Sequence, residues 1–271
     1  DFIPIEQHFR VSAGPGAGKT YFLVKHIKNI LHNSQRLGKT RKIGCITYTN
    51  VAVETILKRL DLSSNRVEVS TIHSFLYKNV VKPYLSLISP EFNFDVSKMD
   101  GHEDHNVSFA KVRHWIENHP NITNLTNPYT PNQLCNLDTN KAALMRWLST
   151  LKYSINVGGN LEIITSKIKA YYYTNTGRRN LSNACLDALS EGLMQYKELF
   201  WVNGTLHHDD VLFFSYELIK RFPFILKVLR AKFPYFLVDE FQDTNPIQTK
   251  LVEQIGQEET IIGVIGDKAQ S

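Results

Sequence analysis

The sequence predicts an α/β fold, a parallel sheet with a long, mostly helical insertion. Short apolar runs alternate with segments of helical periodicity at both ends of the chain. A Gly-rich turn separates the first apolar run from the first helical segment, and the alternation lapses between residues 77 and 205, where Asn, Tyr, His and Pro are frequent. With 271 residues, 42% apolar and 21% charged, the chain is long enough for a sizeable core, and disordered and collagen-like classes are excluded.

Taken in order, His8 to Ala13 reads as a strand running into Gly14-Pro15-Gly16-Ala17-Gly18. Tyr21, Leu23, Val24, Ile27, Ile30 and Leu31 then recur at helical spacing. Lys42 to Tyr48 is a second strand, and Thr49-Asn50 forms a capping pair for a helix carrying Val53, Ile56, Leu57 and Leu60. Arg66 to Ser70 is a third strand, after which Thr71 to Phe75 opens another periodic segment. The insertion, 77–205, shows helical patches at Phe109 to Glu117, Lys141 to Leu151 and Leu181 to Phe200. From residue 206 the alternation resumes, with helices near Asp210 to Arg221 and Pro246 to Ile255 and strands at Tyr235 to Val238 and Thr260 to Ile265. Segments 1–76 and 206–271 are therefore expected to share one sheet, and no internal repeat is found.

No apolar run approaches the roughly eighteen residues of a membrane span, so an integral membrane protein is not expected. Cys45, Cys135 and Cys185 are odd in number and far apart, which suits a reducing cytoplasm better than a disulfide framework or metal knuckle. A net charge of +5 permits an anionic partner without requiring one. The chain begins without Met and stops directly after a strand-like segment, and it reads as a fragment.

Ala13-Gly14-Pro15-Gly16-Ala17-Gly18-Lys19-Thr20 fits a phosphate-binding loop with Ala in place of its first Gly. Glycines let backbone N–H groups turn toward phosphate oxygens, and the following helix presents its positive end to the same charge. Lys19 is expected to meet the β- and γ-phosphates and Thr20 to take a Mg²⁺ position. Phe236 to Glu240 is an apolar strand ending in two acids, which assigns Asp239 to the metal and Glu240 to activation of water.

With AGPGAGKT at 13–20 and VDEFQDTNPIQ at 238–248, the segments ITYTNVA at 46–52, STIHSF at 70–75, DDVLFF at 209–214 and IGDKAQS at 265–271 resemble the ordered motifs of Rep/UvrD/PcrA-like superfamily 1 DNA helicases. The resemblance implies a RecA-like ATPase domain that uses ATP and Mg²⁺, translocates 3′ to 5′ on single-stranded DNA and unwinds duplex. It matches Gln242 to the γ-phosphate sensor and places Gln270 in a motif linking nucleotide state to the DNA groove. Thr49, Asn50, Thr71, His73 and Phe75 match segments lining the single-strand track, and Asp209 and Asp210 gain a place near it. Phe75 has two readings, since an aromatic there stacks a base or packs inward. The insertion matches by position alone the subdomain that lies over the duplex. Gln7 lies too close to the phosphate loop for the family's adenine-reading role, and the family's arginine fingers come from a second RecA-like domain that this chain lacks.

A rival reading makes the chain a DNA-sensing NTPase that regulates a partner, such as a nuclease in a phage-defence complex or another repair protein. A small-molecule P-loop kinase is disfavoured by DEFQDT, TYTN and TIHSF. In the insertion, Tyr171-Tyr172-Tyr173 and Arg178-Arg179 mix aromatic and basic residues as a nucleic-acid surface does, but read more simply as a helix face with a solvated loop. His102-Glu103-Asp104-His105 reads as a polar loop rather than a metal site, and His207-His208 beside Asp209-Asp210 as strand-edge or cap chemistry.

Overall fold

The computed structural model describes residues 3–14 and 16–267. From the N-terminus the order is β1 (Phe9–Ser12), α1 (Lys19–Asn33), β2 (Ile43–Thr47), α2 (Asn50–Leu60), β3 (Val67–Thr71) and the short α3 (Ile72–Leu76). Two hairpins follow in the insertion, β4 (Lys152–Ile155) with β5 (Leu161–Ile164) and β6 (Tyr171–Thr174) with β7 (Gly177–Asn180). After them come β8 (Tyr235–Val238) and β9 (Ile261–Gly266). The chain divides into two compact units, 1–84 with 214–271, and 85–213. The sequence pattern changes somewhat earlier, at 77 and 206.

In the first unit all five strands are parallel, in the order β1-β9-β8-β2-β3. Central β2 and β8 are buried at every residue, which is why IGCIT and YFLV read as unbroken apolar runs rather than alternating ones. Leu23, Ile27 and Ile30 of α1 and Ile56 and Leu60 of α2 pack with Ile43, Cys45, Tyr235 and Leu237. The phosphate loop and the acids of 239–240 therefore emerge at the carboxyl ends of neighbouring strands, where open α/β sheets bind ligands.

His26 of α1 is 2% exposed, sits 4.7 Å from the Phe9 ring and stacks on Phe22, and neither ring nitrogen has a hydrogen-bond partner among the described residues. Burial pushes its pKa below 6.5. The folded state thus disfavours protonated His26 more than the unfolded chain does, so its share of stability is full above 6.5 and is lost progressively as pH falls from there through the lowered folded value. Melting temperature should drop between about pH 7.5 and about pH 5.5. His26→Leu should shrink that drop, and an equal drop in the variant would show that the site is not responsible.

The second unit departs from the helical expectation through its two hairpins. Tyr171 to Asn180 forms β6 and β7 rather than a helix face: three aromatic residues favour a pleated strand, Asn175 and Thr176 turn the chain, and Gly177, at φ 117, takes the positive φ that starts the return strand. The patch 181–200 breaks into helices Asn183–Ser190 and Leu193–Trp201 at Gly192, where a side chain would collide with the His119 ring. Asp210 is fully buried, with Lys197 Nζ at 2.8 Å and the Tyr153 hydroxyl donating at 2.7 Å. The backbone N–H of His207 donates to its other oxygen at 2.9 Å. This is cap chemistry, and full burial removes Asp210 from any DNA-facing role. Burial alone would raise its pKa, but Lys197 and His207 outweigh it and hold the carboxyl well below its ordinary range. His102 Nδ1 lies 2.6 Å from His208 Nδ1, and no metal-holding group of three or more His, Cys, Asp or Glu occurs among the described residues.

Candidate nucleotide site

The phosphate loop is built by the two glycines that permit its backbone path. Gly16 and Gly18 have φ of 74° and 81°, and a Cβ on either would project into open space. Ala17 N–H closes a turn on Gly14 O at 3.2 Å, and Ala13 N–H ties the loop's start to Gly266 O at 3.1 Å. Gly18 caps α1 without a side-chain hydrogen bond, and no acid occupies the first turn. The helix start is thereby left to an external anion. Pro15 and Gln270 lie outside the described residues.

Opposite the loop, β8 delivers its acids. Asp239 N–H bonds Ile46 O at 2.8 Å, which locks the strand end against β2. Asp239 is 5% exposed, and burial, reinforced by the Glu240 charge and opposed by Lys19, raises its pKa to about 6. Glu240 adopts a left-handed φ of 52°, an uncommon conformation for a non-glycine residue that re-aims its side chain. Its Oε2 lies 3.4 Å from Lys19 Nζ and accepts from Gln242 Nε2 at 2.8 Å. Gln242 Oε1 in turn accepts from Asp267 N–H at 2.9 Å, so the strand ends of β8 and β9 are joined through one side chain. A Cβ at Gly266 would lie 2.7 Å from that Oε1, so glycine leaves the room Gln242 needs.

These groups face a cleft of 680 Å³ lined by Gly16, Gly18, Lys19 and Thr20 on one side and Asp239, Glu240, Gln242 and Asp267 on the other. Thr49 and Ala52 also line it, as do Tyr21, Tyr48 and Arg59. Sequence reasoning passed over the last three. Tyr21 and Tyr48 are 67% and 54% exposed, and aromatics directly after the phosphate loop and β2 were the available signal.

The track residues have mixed placements. Thr49 caps α2, accepting from Ala52 N–H at 3.2 Å, and Asn50 is exposed beside it. Thr71 accepts from Ser74 N–H at 3.3 Å, and His73 is half-buried. Phe75 is fully buried, its ring centroid 5.0 Å from both Phe233 and Phe236, and base stacking does not fit that position. Ile72, Phe75 and Leu76 form a buried stripe on α3, so the inward reading holds. Phe75→Ala should cost about 3 to 5 kcal/mol of stability, read by thermal unfolding. A normal melting temperature with weakened DNA binding would reinstate stacking.

A dication suits this site: Thr20 offers a hydroxyl, and Asp239 is a buried carboxyl whose raised pKa a positive ion would pull down. Residues 2–271 match the family model for the UvrD/REP helicase N-terminal domain. The chain is 26% identical to Gabija protein GajB of Bacillus cereus, over 96% of its length and 40% of that protein. It is 25% identical to the ATP-dependent DNA helicase PcrA of Bacillus subtilis (96% and 30%) and 26% identical to the ATP-dependent DNA helicase Rep of Buchnera aphidicola (96% and 34%). The chain thus spans 40% or less of these relatives.

Proposed function

We propose, for a chain that belongs to the UvrD/REP helicase N-terminal domain family, that this cleft binds ATP·Mg²⁺ and hydrolyses the γ-phosphoryl bond. In the whole protein that turnover would drive 3′-to-5′ movement along single-stranded DNA and duplex unwinding. The observation that carries the reading is the convergence of Lys19, Asp239, Glu240 and Gln242 on one cleft, with Glu240 3.4 Å from Lys19.

Lys19 meets the β- and γ-phosphates as a point charge, and first-turn N–H groups of α1 take the remaining oxygens. Thr20 and Asp239 would hold Mg²⁺, which when bound neutralises phosphate charge. Asp239, with its pKa near 6, is ionised at neutral pH and ready for that role. Glu240 accepts the proton of the attacking water, and Gln242, already bonded to Glu240, reports the γ-phosphate to the end of β9 through Asp267 N–H. Full turnover would need arginine from a second RecA-like domain. Thr49 and Asn50, exposed with Tyr48 at the start of α2, would meet the DNA strand.

No helix among the described residues is long and apolar enough to cross a membrane, and the three cysteines are free and buried. A cytoplasmic protein agrees with both. The regulatory-NTPase reading stands second, because one relative aligned over 96% of the chain is named Gabija protein GajB rather than a helicase. Steady-state ATPase with and without single-stranded DNA tests the proposal, alongside titration with a fluorescent ATP analogue and Mg²⁺. The analogue should bind to the chain itself, and absence of binding would end the ATPase assignment. In the whole protein, strand-stimulated turnover without unwinding would favour the regulator.

A further inference from the structure

We propose that the β6–β7 hairpin is a platform for single-stranded nucleic acid, built wholly within residues 85–213. The inference goes beyond the ATPase reading and does not depend on the nucleotide cleft.

The hairpin carries cations without acids. Arg178 and Arg179 are its two charged residues, Lys167 and Lys169 stand in the turn that leads into it, and no Asp or Glu occurs between Glu162 and Asp187. Lys167 pairs with Asp187, while Lys169 and both arginines are exposed. Arg178 donates to Ile168 O at 2.8 Å and Arg179 to Thr176 Oγ1 at 3.3 Å, one bond each from guanidinium groups that have five donors.

The register sets aromatics among these charges. Tyr173 opposes Arg178 and Tyr172 opposes Arg179, so Tyr171, Tyr173 and Arg178 share one face. On that face the Arg178 guanidinium lies 4.1 Å from the Tyr171 ring centroid, and Arg146 covers the same ring at 4.8 Å. Arg146 also donates to Tyr171 O at 2.7 Å, which roots the strand in the helix Asp138–Leu148. Tyr171 is thus a fixed base, and its neighbour Tyr173, edge-on at 5.7 Å, is 64% exposed.

An exposed aromatic ring beside fixed guanidinium groups meets two features of an unpaired strand, its backbone phosphates and the faces of its bases. A duplex offers the phosphates but hides the base faces, so this combination favours the single strand.

The test uses residues 1–271 and a fluorescent oligothymidine, with a blunt duplex of equal length and heparin as comparison ligands. Lys169→Glu with Arg178→Glu, the arginine on the Tyr173 face, should weaken strand binding at least about tenfold and flatten its salt dependence by roughly 0.7 per lost contact. Tyr173→Ala should weaken it by about fivefold to a hundredfold, the range of one base–aromatic stack, and Tyr173→Phe should restore it. Blunt-duplex and heparin affinity should be unmoved by Tyr173→Ala, and melting temperature should stay near wild type because the side chain is exposed. Unchanged strand binding in the charge-reversal variant, equal losses of strand and duplex binding in Tyr173→Ala, or no strand binding by the wild type would each overturn the proposal. Binding of the ATP analogue, measured in the same samples, reports separately on the nucleotide cleft.

Discussion

Lys19→Ala is expected to abolish detectable ATP binding and turnover. The Lys19 side chain is 10% exposed at the start of α1 and is held within 3.4 Å of Glu240, so its ammonium already lies where the cleft's acids converge. Asp239, Glu240, Gln242, Asp243 and Asp267 line the same cleft, and without Lys19 only the exposed Arg59 among the lining residues is cationic. A polyphosphate entering that site would face net negative charge. Each hydrogen bond between a charged donor and phosphate is worth about 1.5 to 3 kcal/mol, which is roughly tenfold to a hundredfold in affinity, and Lys19 is expected to make two. The loss should appear in a titration with fluorescent ATP and in ATPase activity, with melting temperature near wild type. Melting is the control because Lys19 is not part of the hydrophobic cluster that α1 forms with the sheet. Wild-type turnover in the variant would end the phosphate-loop assignment.

The parts legible in the sequence were those fixed by local backbone chemistry. Gly16 and Gly18 can take the positive φ that the loop needs without steric penalty, and YFLV is buried on both faces where it leads to Asp239 and Glu240 in a parallel sheet. Long-range packing was harder to read. Phe75 sits in a segment whose polar neighbours, Thr71, His73 and Ser74, drew attention to a strand track. Its i, i+3, i+4 stripe with Ile72 and Leu76 was the better signal, and the partners Phe233 and Phe236 lie far away in sequence. Asp210 misled for the same reason, since Lys197 and Tyr153 reach it only through the fold. The β6–β7 hairpin was missed because an arginine-rich return strand has low apolar content, so no alternation of apolar and polar residues marks it. Tyr21 and Tyr48 became visible only once the cleft between α1 and β2 had a shape.

Glu240→Gln should behave differently from Lys19→Ala, keeping ATP·Mg²⁺ binding while hydrolysis falls by roughly 10² or more, the scale of a lost general base. The amide keeps the shape of the side chain, and glutamine tolerates the left-handed backbone at this position no worse than glutamate does. What disappears is a proton acceptor and a negative charge. The charge matters for binding, because after burial it is the next cause holding the Asp239 pKa up at about 6. Neutralising residue 240 should therefore let Asp239 ionise at lower pH and hold Mg²⁺ at least as well as before. It should also free Lys19 from its contact with the carboxylate, leaving the ammonium for phosphate. Nucleotide affinity should accordingly stay level or rise as turnover collapses. The measurement is a paired one, fluorescent-nucleotide titration in Mg²⁺ beside single-turnover hydrolysis, made on wild type and variant in the same buffer. If affinity fell as far as the rate, Glu240 would be a binding group, and the proton acceptor for the attacking water would have to be sought elsewhere in the cleft.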